Sequence, residues 1–330
     1  MASKFQEEER TKQISLINNS QLFDNSKGGG FFMGKSRDFV LTNPINNLFS
    51  PIREDVVAYF KDNNISWWGG NTPSGHLLSS QISCLNHLFY IRNDRDIVLS
   101  ILNNVKDEFI EVLPIPNDIN SAYIGFEVVS GDDYLNEKQS TRGSNCTSID
   151  AFIYARHRNG EIWLIPIEWK YTEHYNNQDK STEDRQGVEN KGLNGKGNER
   201  LARYTPLIEN KEQNQLKKMA EYKGSIYYQE PFYQLMRQTL WAKEVIAHKN
   251  NNNEFFKADN YLHIHIIPNK NSDLLNKQYR VSKKGLEETW RDCLCNQDKY
   301  IIVDSFNFLN PIMSNYKELW DYLYDRYWDR

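Results

Sequence analysis

Ser148-Ile149-Asp150-Ala151-Phe152-Ile153-Tyr154-Ala155-Arg156-His157-Arg158-Asn159-Gly160-Glu161-Ile162-Trp163-Leu164-Ile165-Pro166-Ile167-Glu168-Trp169-Lys170 is the stretch that decides how this chain folds. It reads as two adjacent strands that end in an acid, acid, lysine cluster. The second half is dense in β-branched and aromatic residues, so it is expected to be a buried strand, and a buried strand does not carry Glu and Lys without cause. Residues two apart on a strand share a face, so Glu168 and Lys170 point one way and Trp169 the other. Whether Asp150 joins them depends on the turn. A two-residue Asn-Gly turn pairs Arg158 with Glu161 and sets Asp150 opposite Trp169. A three-residue loop, with Gly160 in the left-handed position, pairs His157 with Glu161 and therefore Asp150 with Glu168. Directly opposed side chains lie about 5 Å apart at Cβ, a gap that one metal ion spans with two carboxylates. The three-residue loop is the expectation.

Two carboxylates and a lysine at the end of a buried hairpin are suited to holding a divalent ion and activating water. The alternative is a surface hairpin with a chance ion pair, because Glu-x-Lys recurs at Glu189, Glu209 and Glu221. Those three lie in polar, Gly- or Asn-rich sequence, whereas only Glu168 ends an apolar strand with an Asp aligned across a hairpin. The metal-free carboxylates should repel one another, with only Lys170 in compensation, so removing the charge of Glu168 is expected not to harm folding.

With 330 residues the chain can bury a sizeable core in one large domain or two small ones. No apolar run approaches the roughly 18 residues needed to span a bilayer, and Met1 to Glu9 has no signal-peptide core, so a cytoplasmic protein with no membrane partner is expected. Four cysteines without a Cys-x-x-Cys argue against a disulfide framework and a zinc ribbon. A net charge of −4 does not advertise nucleic acid, but a carboxylate metal site subtracts charge locally, so this discriminates weakly.

The chain opens with an N-terminal elaboration, partly helical, over 1–70, and 71–330 reads as the main domain, with a polar insertion at 176–198. Residues 51–61 suggest a short amphipathic helix. Thr72-Pro73 offers a cap before a helix striped by Leu78, Ile82, Leu85 and Phe89, whose polar face carries Gln81. A strand follows over 122–129 and carries Glu127. After Pro231 a helix places Gln234, Arg237, Gln238 and Trp241 on one face. Strands at 261–267 and 300–306, a helix at 286–294 and an aromatic C-terminal helix complete an α/β (α+β) pattern, a central mixed sheet flanked by helices. Two motifs mislead. Gly29-Gly30-Phe31-Phe32-Met33-Gly34-Lys35-Ser36 satisfies a phosphate-loop pattern, but no apolar strand leads into Gly29 and Pro44 cuts short any helix after Ser36. His263-Ile264-His265 puts two imidazoles on one strand face with no third zinc ligand near, so a half-buried strand is expected.

The order helix, strand, Asp-bearing strand, Glu-x-Lys strand and Gln-bearing helix resembles the PD-(D/E)XK, or restriction-endonuclease-like, nuclease superfamily. Longer strings are similar to a family of stand-alone restriction endonucleases: His76 with Ser79-Ser80-Gln81 and Asn86, Phe126-Glu127, Arg142-Gly143 with Thr147-Ser148-Ile149-Asp150, Ile167 through Glu173, and Tyr233-Gln234 with Arg237-Gln238. The superfamily's Pro is absent before Asp150, where Ile149 stands. The resemblance implies a metal-dependent DNA endonuclease, of the type II restriction class, cutting double-stranded DNA as a homodimer; the competing class is an inactive nuclease fold that binds nucleic acid. It implies Mg²⁺, with Mn²⁺ able to substitute, held by Asp150, Glu168 and the Trp169 carbonyl, with Glu127 as an additional carboxylate. Lys170 would orient or deprotonate the attacking water. Gln81, Glu173, Gln234, Arg237 and Gln238 are candidates for supporting these groups or touching DNA.

Overall fold

The hairpin forms with the three-residue loop. In the computed structural model, which describes residues 2–116, 118, 122–138, 142–143, 146–183, 195–212 and 214–328, the His157 N–H donates to the Glu161 carbonyl at 2.9 Å and Gly160 has φ +90°. Ala151 pairs with Ile167 and Ile153 with Ile165, a register that carries on to Asp150 opposite Glu168.

In chain order the elements are α1 (Lys4–Asn19), β1 (Gly30–Phe32), β2 (Lys35–Arg37), α2 (Arg53–Asp62), α3 (Ser80–Leu88), α4 (Arg95–Val105), β3 (Phe109–Leu113), β4 (Ile124–Val128), β5 (Ile149–His157), β6 (Ile162–Trp169), α5 (Lys196–Glu209), α6 (Phe232–Ala247), β7 (Asn260–Tyr261), β8 (His263–Ile266), α7 (Ser272–Leu275), α8 (Leu286–Cys293), β9 (Tyr300–Val303), α9 (Ser305–Phe308) and α10 (Lys317–Arg326). Seven strands form one mixed sheet along the path β3-β5-β6-β8-β9, with β4 also on β5 and β7 also on β6. β3 and β4 share one edge of β5, antiparallel to its two halves, while β6, β8 and β9 run parallel. This is the mixed sheet with flanking helices expected of a restriction-endonuclease-like core.

The pleat sorts the hairpin's side chains between two cores. Ala151, Ile153, Trp163, Ile165, Ile167 and Trp169 join the core that includes Ile82, Leu85, Ile101 and Leu323. Phe152, Tyr154 and Leu164 join the other, with Leu235, Met236 and Trp241 of α6. Glu168 and Asp150 share parity with the second set and so face α6.

Several boundaries differ from the sequence expectation. α3 begins at Ser80, and Ser79 rather than Thr72 caps it, its hydroxyl accepting from the Ile82 N–H at 3.3 Å. α4 and β3 are absent from the sequence reading. The 261–267 strand is interrupted at Leu262, and the last strand stops at Val303, because Asp304 caps a short helix instead, accepting from the Phe306 N–H at 2.9 Å. Of the 176–198 stretch, 184–194 lie outside the described residues; Asp179 bridges to Gln229 and α5 begins at Lys196. The phosphate-loop pattern is a β-hairpin, β1 with β2, so it has no helix terminus to offer a phosphate. His263 and His265 are buried strand residues.

Candidate active site

Strand alignment gathers the carboxylates at one end of the sheet. Glu168 and Lys170 form an ion pair in which both side chains are buried. Two glutamines four apart on α6, hence on one face of it, complete the surroundings: Gln238 Nε2 donates to the other oxygen of Glu168, and Gln234 Oε1 accepts from Lys170 Nζ. Asp150 stands opposite, its Oδ2 accepting from the Trp169 backbone N–H at 2.8 Å. Trp169 points to the other face, where its indole N–H donates to Ser83 Oγ at 3.2 Å and its ring lies 4.8 Å from that of His87.

Glu127 adds a third carboxylate from β4. Phe126 pairs with Ala151 and Val128 with Ile149, so Glu127 falls opposite Asp150. It does so with φ +48°, a left-handed conformation inside a strand that costs a non-glycine residue about 1–3 kcal/mol. The surroundings impose that geometry. Ser148 Oγ donates to Glu127 Oε2 at 2.6 Å, Gln81 Nε2 donates to Oε1 at 2.8 Å, and Arg142 Nε donates to the Glu127 carbonyl at 2.7 Å. Two donors thus hold the carboxylate of this strained residue at the lining of the cleft.

The electrostatics are those of a crowded site. Burial, then the neighbouring Glu168 carboxylate, holds the Asp150 carboxyl well above the usual range, and Glu127 adds to the effect. Burial also raises Glu127, against the pull of Ser148, Gln81 and Arg142. For Lys170, burial works against the charge, but the carboxylate of Glu168, with Tyr175, Glu173 and Asp150, more than offsets it, and the ammonium is held well above the ordinary lysine value. The ion pair with Glu168 thus favours the charged form of the lysine in this arrangement.

These groups line a cleft of about 570 Å³, together with Trp68, His76 and Gln81. Its oxygen donors are the hard ligands that Mg²⁺ prefers, and excess negative charge at Asp150 and Glu127 is what a cation would relieve. Among the described residues no three His, Cys, Asp or Glu side chains converge as a ready-made metal cage. An ion here would rest on Asp150 and Glu168, with the Trp169 carbonyl, Glu127 and water available, in keeping with the reluctance of Mg²⁺ to shed its waters.

The supporting candidates divide. Gln81, Gln234 and Gln238 each hold one of the charged groups. Glu173 lines the cleft and accepts from the Tyr171 N–H at 2.7 Å. Arg237 also lines the cleft, and its guanidinium is held on Glu137, with Nη2 at 3.0 Å and Nε at 3.2 Å. Sequence reasoning did not single out Ser148 as the residue that aims Glu127, nor Glu137. Ser148 could have been found, since it lies two residues before Asp150 on the same face; Glu137 could not, because its partner is 100 positions away. Among the described residues no helix is long and apolar enough to cross a membrane, and none of the four cysteines is in a disulfide.

Comparison with known proteins turns up no matching curated protein and no matching solved structure. A family model described as restriction endonuclease associating with ARP matches residues 9–328, nearly the whole chain and every strand of the sheet that carries the site. The chain therefore belongs to this restriction-endonuclease family.

Proposed function

We propose that the protein is a metal-dependent endonuclease that hydrolyses phosphodiester bonds of double-stranded DNA, with the cleft around Asp150, Glu168 and Lys170 as its catalytic centre. The observation that carries this reading is the three-residue hairpin loop, which puts Asp150 and Glu168 opposite one another, beside a buried ammonium, in an open cleft. Mg²⁺, or Mn²⁺ in its place, would be held by Asp150, Glu168, the Trp169 carbonyl and Glu127, and when bound it supplies polarisation of the phosphate and a more acidic water. Lys170, kept charged, donates to a phosphoryl oxygen and stabilises the negative charge that develops there. Gln234 and Gln238 fix the Lys170 and Glu168 side chains, so that little reorganisation accompanies the reaction. Two copies acting together would let one recognition event cut both strands, which is the reason a homodimer belongs to the reading.

The test is to incubate the protein with plasmid and genomic DNA in Mg²⁺, Mn²⁺ or chelator. Discrete fragments that require metal are expected, and they should vanish with Asp150→Asn. Binding to DNA with no cleavage under any metal would instead mark a nuclease fold that grips DNA without cutting it.

A further inference from the structure

The glycine-rich stretch that mimics a phosphate loop forms a β-hairpin beside the cleft, and its tip is built against the ordinary rules for a hairpin. Phe32 pairs with Lys35, so Met33 and Gly34 form a two-residue turn, with φ +50° and +73°. Both positive angles define a type I′ turn, whose first position favours Asn, Asp or Gly. Here it holds a methionine, 75% exposed, and Phe31 next to the turn is 77% exposed. Neither residue packs into the core, and both detract from solubility. An apolar side chain kept in a strained and solvated position points to an external contact.

The hairpin is firmly seated and continuous with the cleft. The Phe32 ring lies 4.8 Å from both Trp68 and His76, two residues of the cleft wall. That seat exists because residue 69 is glycine: a Cβ there would come within 2.8 Å of the Phe32 ring. At the base, the Gly30 N–H donates to the Val40 carbonyl at 2.8 Å, and Val40 bridges to His76. The charge on this element is one-sided. Lys27 and Lys35 are exposed, Arg37 closes β2, and no carboxylate occurs between Lys27 and Asp38.

We propose that the tip of this hairpin is a wedge for duplex DNA, in which Met33 and Phe31 press between or against base pairs while Lys35 meets the phosphate backbone. A two-stranded ribbon is narrow enough to enter a groove, and apolar side chains inserted at a base step unstack it and bend the duplex. The wedge rests on the reading of the neighbouring cleft as a DNA-cleaving site, because the duplex it grips is the one seated there.

The test compares the wild type with Met33→Asn and Phe31→Thr, using a short mixed-sequence duplex labelled with fluorescein and a second duplex carrying 2-aminopurine at internal steps, both in Ca²⁺. Asn suits the turn better than Met, so Met33→Asn should melt at the same temperature or higher. Its duplex affinity should nevertheless fall by about tenfold or more, the scale of losing one base-stacking contact, with little change in salt dependence because no charge is removed. The rise in 2-aminopurine fluorescence on binding should be lost in both variants. Unchanged affinity and unchanged 2-aminopurine signal, with metal-dependent cleavage intact, would overturn the wedge and leave the nuclease reading standing. A wild type that binds no duplex at all would overturn both. If the variants abolish self-association while duplex binding persists, the hairpin's occupant is a second copy of the chain and the wedge is wrong.

Discussion

Glu137 and Glu168 are both buried carboxylates engaged by α6, and their surroundings differ in kind. Glu137 accepts from the Thr147 N–H, from Thr147 Oγ1 at 2.7 Å, from the Tyr204 hydroxyl at 2.6 Å and from Arg237. Burial works against its charge, but Arg237 and these donors outweigh burial and bring its pKa below the usual carboxylate range. Glu168 has one cation and one amide donor, and faces Asp150 and Glu127, whose carboxyls are pushed the other way. The first cluster is compensated and fixes the approach to β5, since Thr147 lies just before it. The second is under-compensated, a condition that the proposed metal ion would relieve. A buried acid alone thus says little; whether donors or other acids surround it separates a structural cluster from a reactive one.

That contrast can be broken by substitution. Glu137→Gln removes the partner of a mostly buried guanidinium and should destabilise the protein by about 3 kcal/mol, read by urea denaturation, with any loss of cleavage following the loss of folded protein. Asp150→Asn should do the reverse. Cleavage should drop by about a hundredfold or more, while the metal-free melting temperature stays level or rises, because a repelled charge has been deleted. Mg²⁺ should stabilise the wild type and this variant much less. The structure moves this tolerance from Glu168, where the sequence had placed it, to Asp150: neutralising Glu168 would leave the Lys170 ammonium without its closest partner.

Glu127→Gln should be milder, about a tenfold loss of cleavage at unchanged stability, because Ser148 and Gln81 can hold an amide where they hold the carboxylate. An effect as large as that of Asp150→Asn would show Glu127 to be an equal member of the site. The smallest effect is in pH. Glu137 has a folded pKa below its unfolded value, so its contribution to stability is present above the unfolded pKa, near 4.3, and is lost as pH falls through the folded one. The gap in melting temperature between the wild type and Glu137→Gln should be full at neutral pH and should close below about pH 4. A gap independent of pH would mean that shape, and not charge, makes Glu137 important.

The sequence by itself determined the two strands and the charged cluster at their ends, and narrowed their pairing to a choice between a two-residue and a three-residue loop, of which the structure has the second. Loop length at Arg158-Asn159-Gly160 and the two-residue alternation of the strands are local properties, written within some twenty adjacent residues, and they carry Asp150 to Glu168 and Trp169 to the far face. The same locality rejected the phosphate loop and found α6 with its glutamine stripe. Only the tertiary structure decided the rest. The left-handed turn at Glu127 is held by Ser148, Gln81 and Arg142 from three places in the chain, and Arg237, while lining the cleft, is paired with Glu137. β3 is added to an edge of β5, and a hairpin that reads as a nucleotide motif is seated on Trp68 and His76. Each of these is a contact between residues distant in sequence, chosen by packing and by the need to satisfy buried charge, and no window of neighbouring residues contains both partners.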